Sequence, residues 1–323
     1  MAERGMAERG RAEQGAAEQG AGERGAASAD GRDLLGKTIV ITGATGGIGL
    51  EAAIALARRG AGLVLVGRDR MRGDAALARL RREAPGAIAE ADYADLSSIA
   101  EVKALAARLS SLPRIDVLLN NAGGMFARRE VTADGLERTF ALNHMAYVVL
   151  TLGLLDTLRR SGPARIVNVA SEAHKGVTLD FDDLQGERAY SGWPAYRRSK
   201  LANILFTREL ARRLAGTGAT GAVASGATIT ANCLHPGFVA TRIGDNNRGL
   251  WGIGIRIAKL FAMSLEKGAK NAIHVATAPE FSTTSGAYVV RGRITDPSAV
   301  AQDDAAARRL WDASLAIAGL TGL

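Results

Sequence analysis

The sequence predicts an α/β protein built on a doubly wound parallel sheet, and three observations carry that expectation. Short β-rich runs alternate with amphipathic helical stretches through residues 33–323. The first run leads at once into a glycine cluster, Gly43-Ala44-Thr45-Gly46-Gly47-Ile48-Gly49, and then a helix. Strands separated by helical crossovers pair in parallel, because a parallel neighbour can be reached only by a long return connection. Finally, no apolar run of about 18 or more residues lacks polar groups, so no spanning helix is expected.

Taken in order, Thr38-Ile39-Val40-Ile41 is the first strand, and residues 50–59 form a helix that stops at Gly60. Leu63-Val64-Leu65-Val66 is the second strand, and the charges of residues 79–82 lie on a helix after it. A third strand is expected at 87–91, a helix at 97–109 and a fourth strand at 117–119 running into Asn120-Asn121-Ala122-Gly123. The rhythm continues with a long helix over 136–160, a strand over 165–169, a second long helix over 195–215 and a strand over 227–232. Tyr288-Val289-Val290 closes the set.

Residues 1–32 differ in kind. Met-Ala-Glu-Arg-Gly occurs twice and three variants of the same five-residue unit follow. Glycine at every fifth place works against a helix, and there is almost nothing apolar to bury, so a disordered, solvated tail is expected. The tail has no apolar stretch of a signal peptide, and its acids argue against an organellar transit peptide. The single cysteine, Cys233, excludes an internal disulfide and fits a reducing compartment, so a cytoplasmic protein is expected with Cys233 as core packing. Residues 33–323 are read as one domain.

The net charge is +8, and the tail holds five arginines against six acids, so residues 33–323 carry +9. That excess is spread over helices, with no basic run interleaved with aromatics, so solvated helix faces are expected and a nucleic-acid partner is not. Part of it is available to an anionic cofactor. The four histidines show no ligand spacing, and no metal site is expected.

The chemistry lies in three features. Glycines between a strand and a helix let the backbone approach a pyrophosphate at the helix N-terminus, where free N–H groups and the helix dipole favour negative charge. Their spacing, Gly-x3-Gly-x-Gly, differs from the Gly-x-Gly-x2-Gly dinucleotide fingerprint. Tyr196 and Lys200 are four apart and share a helix face, so the ammonium can favour the ionised phenol. An unassisted phenol loses its proton only near pH ~10. Ser171 stands upstream of both.

In this order the motifs resemble a short-chain dehydrogenase/reductase, and within that family the chain is most similar to the retinol-dehydrogenase-like group. The likeness spans residues 36–315. It rests on Thr42 to Gly49, Asn120 to Gly123, Asn143 in Leu142-Asn143-His144, Ser171, Tyr196, Lys200 and Pro236-Gly237 with Thr241. The resemblance implies a Rossmann-type fold and hydride transfer between a nicotinamide and an alcohol or carbonyl carbon. Tyr196 would protonate the carbonyl oxygen, Ser171 hydrogen-bond it, Lys200 lower the tyrosine pKa and hold the ribose, and Asn143 support a water. Cofactor contacts are implied for Gly43, Thr45, Gly46, Gly47, Ile48, Gly49, Asn121, Ala122, Gly123, Tyr196, Lys200, Pro236, Gly237, Val239 and Thr241, with Asp92 near the adenine.

The end of the second strand sets cofactor preference. Gly67 occupies the place where NAD enzymes carry an acid, and the Arg68 guanidinium suits the 2′-phosphate of NADP. NADP is therefore expected ahead of NAD, although an Asp69 turned toward the ribose would favour NAD. The substrate is expected to be small and lipophilic, lined by residues 172–195, with His174, Phe181 and Trp193, and by 242–267, with Trp251, Ile253, Ile255, Ile257, Leu260, Phe261 and Met263. That second stretch reads equally as a lid, core packing or a subunit contact. Members of the group often carry an N-terminal membrane anchor, and none is read here. The family often pairs through the helices bearing Asn143 and Tyr196, so a homo-oligomer is open. The alternative to an enzyme is a dinucleotide-sensing regulator or scaffold on the same fold.

Overall fold

Alternation along each strand decides which side chains build which half of the core. In β1 (Thr38–Thr42), Ile39 and Ile41 enter one apolar cluster and Val40 the other, the period-two consequence of an extended backbone buried on both faces. The computed structural model describes residues 31–216, 228–237 and 264–321; the following concerns the unit Leu34–Leu323. Among the described residues eight strands form one sheet in the order β3-β2-β1-β4-β5-β6-β7-β8. They are β1, β2 (Gly62–Gly67), β3 (Ala89–Tyr93), β4 (Val117–Asn120), β5 (Ala164–Val169), β6 (Ile229–His235), β7 (Tyr288–Val290) and β8 (Arg293–Ile294). All pairings are parallel except β7 with β8. The order reverses at β1, which places a crevice between β1 and β4 at their C-terminal ends.

One face carries α1 (Gly47–Arg58), α2 (Arg70–Glu83) and a helix near the end of the chain, Leu265–Thr277. The other carries α3 (Ile99–Leu109), α4 (Ala146–Gly153), α5 (Leu155–Arg160) and α6 (Gly192–Gly216). The helix Leu265–Thr277 is α7, and Asp304–Ala318, lying across α6, is α8. Side-chain caps set several starts: Asp69 accepts from Arg72 N at 3.0 Å before α2, and Asp303 accepts from Ala305 N at 2.8 Å before α8. No helix among the described residues is long and apolar enough to cross a membrane.

Three expectations shift. β3 begins two residues late, because Ala84 to Ala87 form a turn with Gly86 at φ +78°. The long helix expected over 136–160 is broken. It runs as Arg138–Phe140, a π turn at Ala141–Met145, then α4 and α5. β8 was not expected at all. It is folded back by a two-residue turn with φ +51° at Arg291 and +73° at Gly292, the left-handed pair that a tight antiparallel hairpin demands.

Candidate active site

Thr42 ends β1 and ties the two sides of the crevice together. Its hydroxyl accepts from Asn121 N at 2.9 Å and Ala122 N at 3.0 Å, while Asn121 Nδ2 donates to Thr42 O at 2.8 Å. Packing then explains the glycines. A Cβ on Gly49 would sit 2.6 Å from both Asn121 Nδ2 and Gly43 O, and one on Gly43 (φ +69°) would sit 2.9 Å from Ala122 Cα. Gly47 is different: its φ is +60° and nothing lies within 4 Å of where its Cβ would be. α1 starts there without a side-chain cap or an acid in its first turn, so its N-terminal N–H groups remain available to an anion.

The other side of the crevice holds the proton-transfer candidates. Ser171 follows β5 and accepts from Ala173 N at 3.2 Å. Tyr196 and Lys200 occupy the first turns of α6, with Lys200 Nζ 5.6 Å from the Tyr196 ring centroid and 5.8 Å from that of Tyr147. Lys200 Nζ donates to Val169 O at 3.0 Å. Asn143, within the π turn, accepts from Gly124 N at 2.8 Å and donates to Gly124 O and Ser199 Oγ, both at 2.9 Å. Ser199 in turn donates to Tyr196 O at 2.7 Å. Ser171, Tyr196, Lys200 and Asn143 are thus brought to one end of the sheet beside Gly123.

Electrostatics correct one expectation. Burial pushes the Tyr196 phenol up to about 12, with a hydrogen bond from Ser171 opposing it, and pushes Lys200 down to about 7. The expected lowering of the phenol by Lys200 does not appear: burial sets the direction, and only Ser171 opposes it. Both groups lie in a desolvated pocket, and Nζ is drawn to a backbone carbonyl. At neutral pH burial therefore favours the protonated phenol of Tyr196 and weakens the hold of Lys200 on its proton.

The adenine end also differs. Asp92 does not stand free: Arg108 grips its carboxylate at 2.8 and 3.0 Å, and it accepts from Tyr93 N at 2.7 Å. The carboxylate beside Arg68 is instead Asp95, 3.6 Å away. Asp92 is the penultimate residue of β3, and Asp95 lies two residues beyond the strand's end. Asp69 is committed to capping α2. A Cβ on Gly67 would lie 2.3 Å from the Thr45 methyl, so a side chain there would require Thr45 to turn aside.

Among the expected substrate contacts, His174 is buried, bonded to Ser171 O at 2.7 Å and accepting from Ser298 N at 3.1 Å, so it is a structural link. Phe181 packs under the Arg309 guanidinium at 4.5 Å. Trp193 does lie at the site, stacked on Tyr196 with centroids 5.7 Å apart. Pro236 and Gly237 (φ +93°) follow β6. Val239, Thr241 and residues 242–263 lie outside the described residues. Tyr147, Ser199 and Asp95 carry no role in the sequence reading, and Thr42 enters it only as the start of the glycine motif. Only Ser199, next to Lys200, carried a positional signal.

A parallel sheet with a glycine-lined crevice and a Ser-Tyr-Lys cluster at its C-terminal end defines a dinucleotide-dependent oxidoreductase. The chain belongs to the short chain dehydrogenase family, whose model matches residues 37–250. It falls with the retinol-dehydrogenase-like group. It is 38% identical over 293 residues to retinol dehydrogenase 13 of Homo sapiens, covering 88% of this chain and 85% of that protein. With retinol dehydrogenase 12 of Mus musculus it shares 38% over 289 residues, covering 88% and 87%. Among solved structures it resembles an uncharacterized protein from Mycobacterium Paratuberculosis (TM-score 0.71, 30% identity, 88% and 94% covered). It also resembles the short-chain dehydrogenase from Sphingobium yanoikuyae in complex with NADPH (TM-score 0.60, 29% identity, 79% and 87% covered).

Proposed function

We propose that the protein is an NADP-dependent oxidoreductase acting on a lipophilic carbonyl or the matching alcohol. The observation that carries the reading is a buried Tyr196 beside Ser171, with Lys200 Nζ 5.6 Å from its ring centroid, at the same end of the sheet as the glycine cradle. The residues fit a dinucleotide: Gly43 and Gly49 have no room for a side chain, Gly47 leaves its face open, and the α1 N-terminus is uncapped. Gly46, Gly47 and Ile48 would hold the pyrophosphate, Asn121, Ala122 and Gly123 the nicotinamide half, and Arg68 the 2′-phosphate.

A bound nicotinamide supplies or accepts the hydride. In the reductive direction Tyr196, protonated at neutral pH, donates to the substrate oxygen. Ser171 hydrogen-bonds the same oxygen and polarises the carbon. Lys200, in its protonated form and 5.6 Å from the Tyr196 ring centroid, then stabilises the phenolate left behind and returns a proton to it. Asn143 spends both amide N–H groups on Gly124 and Ser199, which fixes the backbone before Lys200 and leaves one lone pair of its oxygen for a water.

NADP is favoured over NAD because Gly67 presents no acid at the end of β2 and Asp69 is occupied as a cap. Arg68 would exchange Asp95 for the phosphate. The NADPH bound to the Sphingobium relative supports a dinucleotide here. The names of the curated relatives make a retinoid one candidate among lipophilic aldehydes, ketones and secondary alcohols. We also read the chain as unpaired through the helices that carry Asn143 and Tyr196, because α8 lies over them. Trp311 stacks on Phe206, Ser314 bonds His144 at 2.9 Å, and Lys103 reaches Ala318 O at 2.6 Å.

NADPH oxidation followed by absorbance across retinal, steroid, aliphatic-aldehyde and quinone substrates tests the function. Turnover of at least one lipophilic carbonyl is expected. Tight NADPH binding with no turnover across the panel would instead assign the regulator role.

A further inference from the structure

We infer that Trp193 selects the substrate at this site, its indole favouring a flat, conjugated carbonyl over a saturated one of equal length. The inference rests on reading Tyr196 as the proton-transfer group. Six large apolar side chains are exposed among the described residues, and Trp193 is the only aromatic one. It is also the one beside the chemistry. Its ring lies 17° from parallel with Tyr196, centroids 5.7 Å apart, and it is 42% exposed where Tyr196 is 8% exposed.

Exposure of a tryptophan on a loose loop would mean little, but this one is held. Gly192 before it lies so close to residues 126–127 that a Cβ would collide with Phe126 O and stand 2.9 Å from Ala127 Cα. Tyr190 donates to Phe126 O at 2.8 Å from the same short segment. Pro194 follows, and its fixed φ further narrows the backbone. The indole is therefore presented in a set orientation, stacked on the ring of the residue whose hydroxyl a substrate oxygen must reach.

A planar π system extending from that oxygen can lie along the indole in an offset or edge-to-face arrangement, which is worth up to roughly tenfold in affinity. A conjugated chain also arrives with its torsions already fixed, whereas a saturated chain gives up rotational freedom to match the surface. Of the three side chains expected from sequence to line this side of the pocket, His174 and Phe181 are engaged elsewhere. Trp193 alone is free to read the substrate.

Cinnamaldehyde and 3-phenylpropanal carry the same carbons and differ in one double bond, so they isolate planarity. The wild type is expected to show a KM for cinnamaldehyde about tenfold below that for 3-phenylpropanal. Trp193→Leu should bring the two within about twofold, and Trp193→Phe should keep most of the difference. An unchanged ratio in Trp193→Leu overturns the inference. Calorimetry with cinnamamide and 3-phenylpropanamide on the NADP-saturated protein reads the same surface without turnover, and equal wild-type affinities there overturn it also. Tyr196→Phe separates the two readings: wild-type turnover in that variant defeats the Tyr196 mechanism, whereas a lost amide preference in Trp193→Leu is decided by the indole.

Discussion

Replacing Arg68 with alanine should convert an NADP-preferring protein into one that scarcely distinguishes the two dinucleotides. Arg68 follows the last residue of β2, and its side chain is 62% exposed, so its contribution must be discounted for solvent. In water, a unit charge about 4 Å from another contributes about 1 kcal/mol, and a 2′-phosphate brings close to two charges. A charge-assisted hydrogen bond adds to this, while surrender of the Asp95 pair at 3.6 Å subtracts from it. The net expectation is about 1–2 kcal/mol, or roughly 5- to 30-fold in NADP affinity, with NAD affinity changed less than about twofold. Titration of NADPH and NADH by fluorescence reads both, and the wild-type preference should shrink with added salt while that of Arg68→Ala should not. Asp95→Asn is the complementary change and should strengthen NADP binding, because it frees the guanidinium. An Arg68→Ala protein that keeps its full NADP preference removes Arg68 from the account.

Other consequences can be measured independently. Gly49→Ala forces a methyl to 2.6 Å from Asn121 Nδ2 and Gly43 O, so urea unfolding should show a loss of about 1–3 kcal/mol together with weakened dinucleotide binding; an unperturbed midpoint would contradict the packing. His144 is fully buried and burial lowers it to about 4 from an ordinary 6.5, so the unfolded chain binds its proton first as pH falls. The stability tied to this group is complete above pH 6.5 and lost progressively toward pH 4, by up to about 3 kcal/mol. His144→Gln should flatten that dependence in denaturation curves at pH 7 and 4.5, and an equally steep loss in the variant would point elsewhere. With α8 over the helices that bear Asn143 and Tyr196, sedimentation should give the mass of one chain. A dimer that persists in a variant carrying an arginine at an exposed position of α8, such as Asp312→Arg, would show pairing through another surface.

The sheet was legible because buried parallel strands leave β-rich runs such as Leu63 to Val66, and the site was legible because Tyr196 and Lys200 keep helical spacing within an ordered set of motifs. What sequence hid has specific causes. The π turn at Ala141–Met145 changes the number of residues per turn without changing composition, so one continuous helix is what periodicity returns. The resemblance points to Asp92 near the end of β3, but it cannot show that Arg108 holds Asp92 while Asp95 lies beside Arg68. Spacing places Lys200 near Tyr196 but says nothing of desolvation, which raises the phenol and lowers the amine. Nor can it tell Trp193 from His174 and Phe181, since all three lie in one loop region and only packing separates them. α8 carries sequence signals of its own, Asp303 at its N-cap and Gly319 just after its end.

The central claim is that Tyr196 moves the proton, and turnover by Tyr196→Phe on a responsive carbonyl tests it most directly. The substitution removes one hydroxyl and keeps the ring that stacks on Trp193. NADPH-linked reduction is expected to fall by about 10²–10⁴-fold while NADPH affinity stays within about twofold of wild type. Reduction at the wild-type rate by Tyr196→Phe would contradict the account.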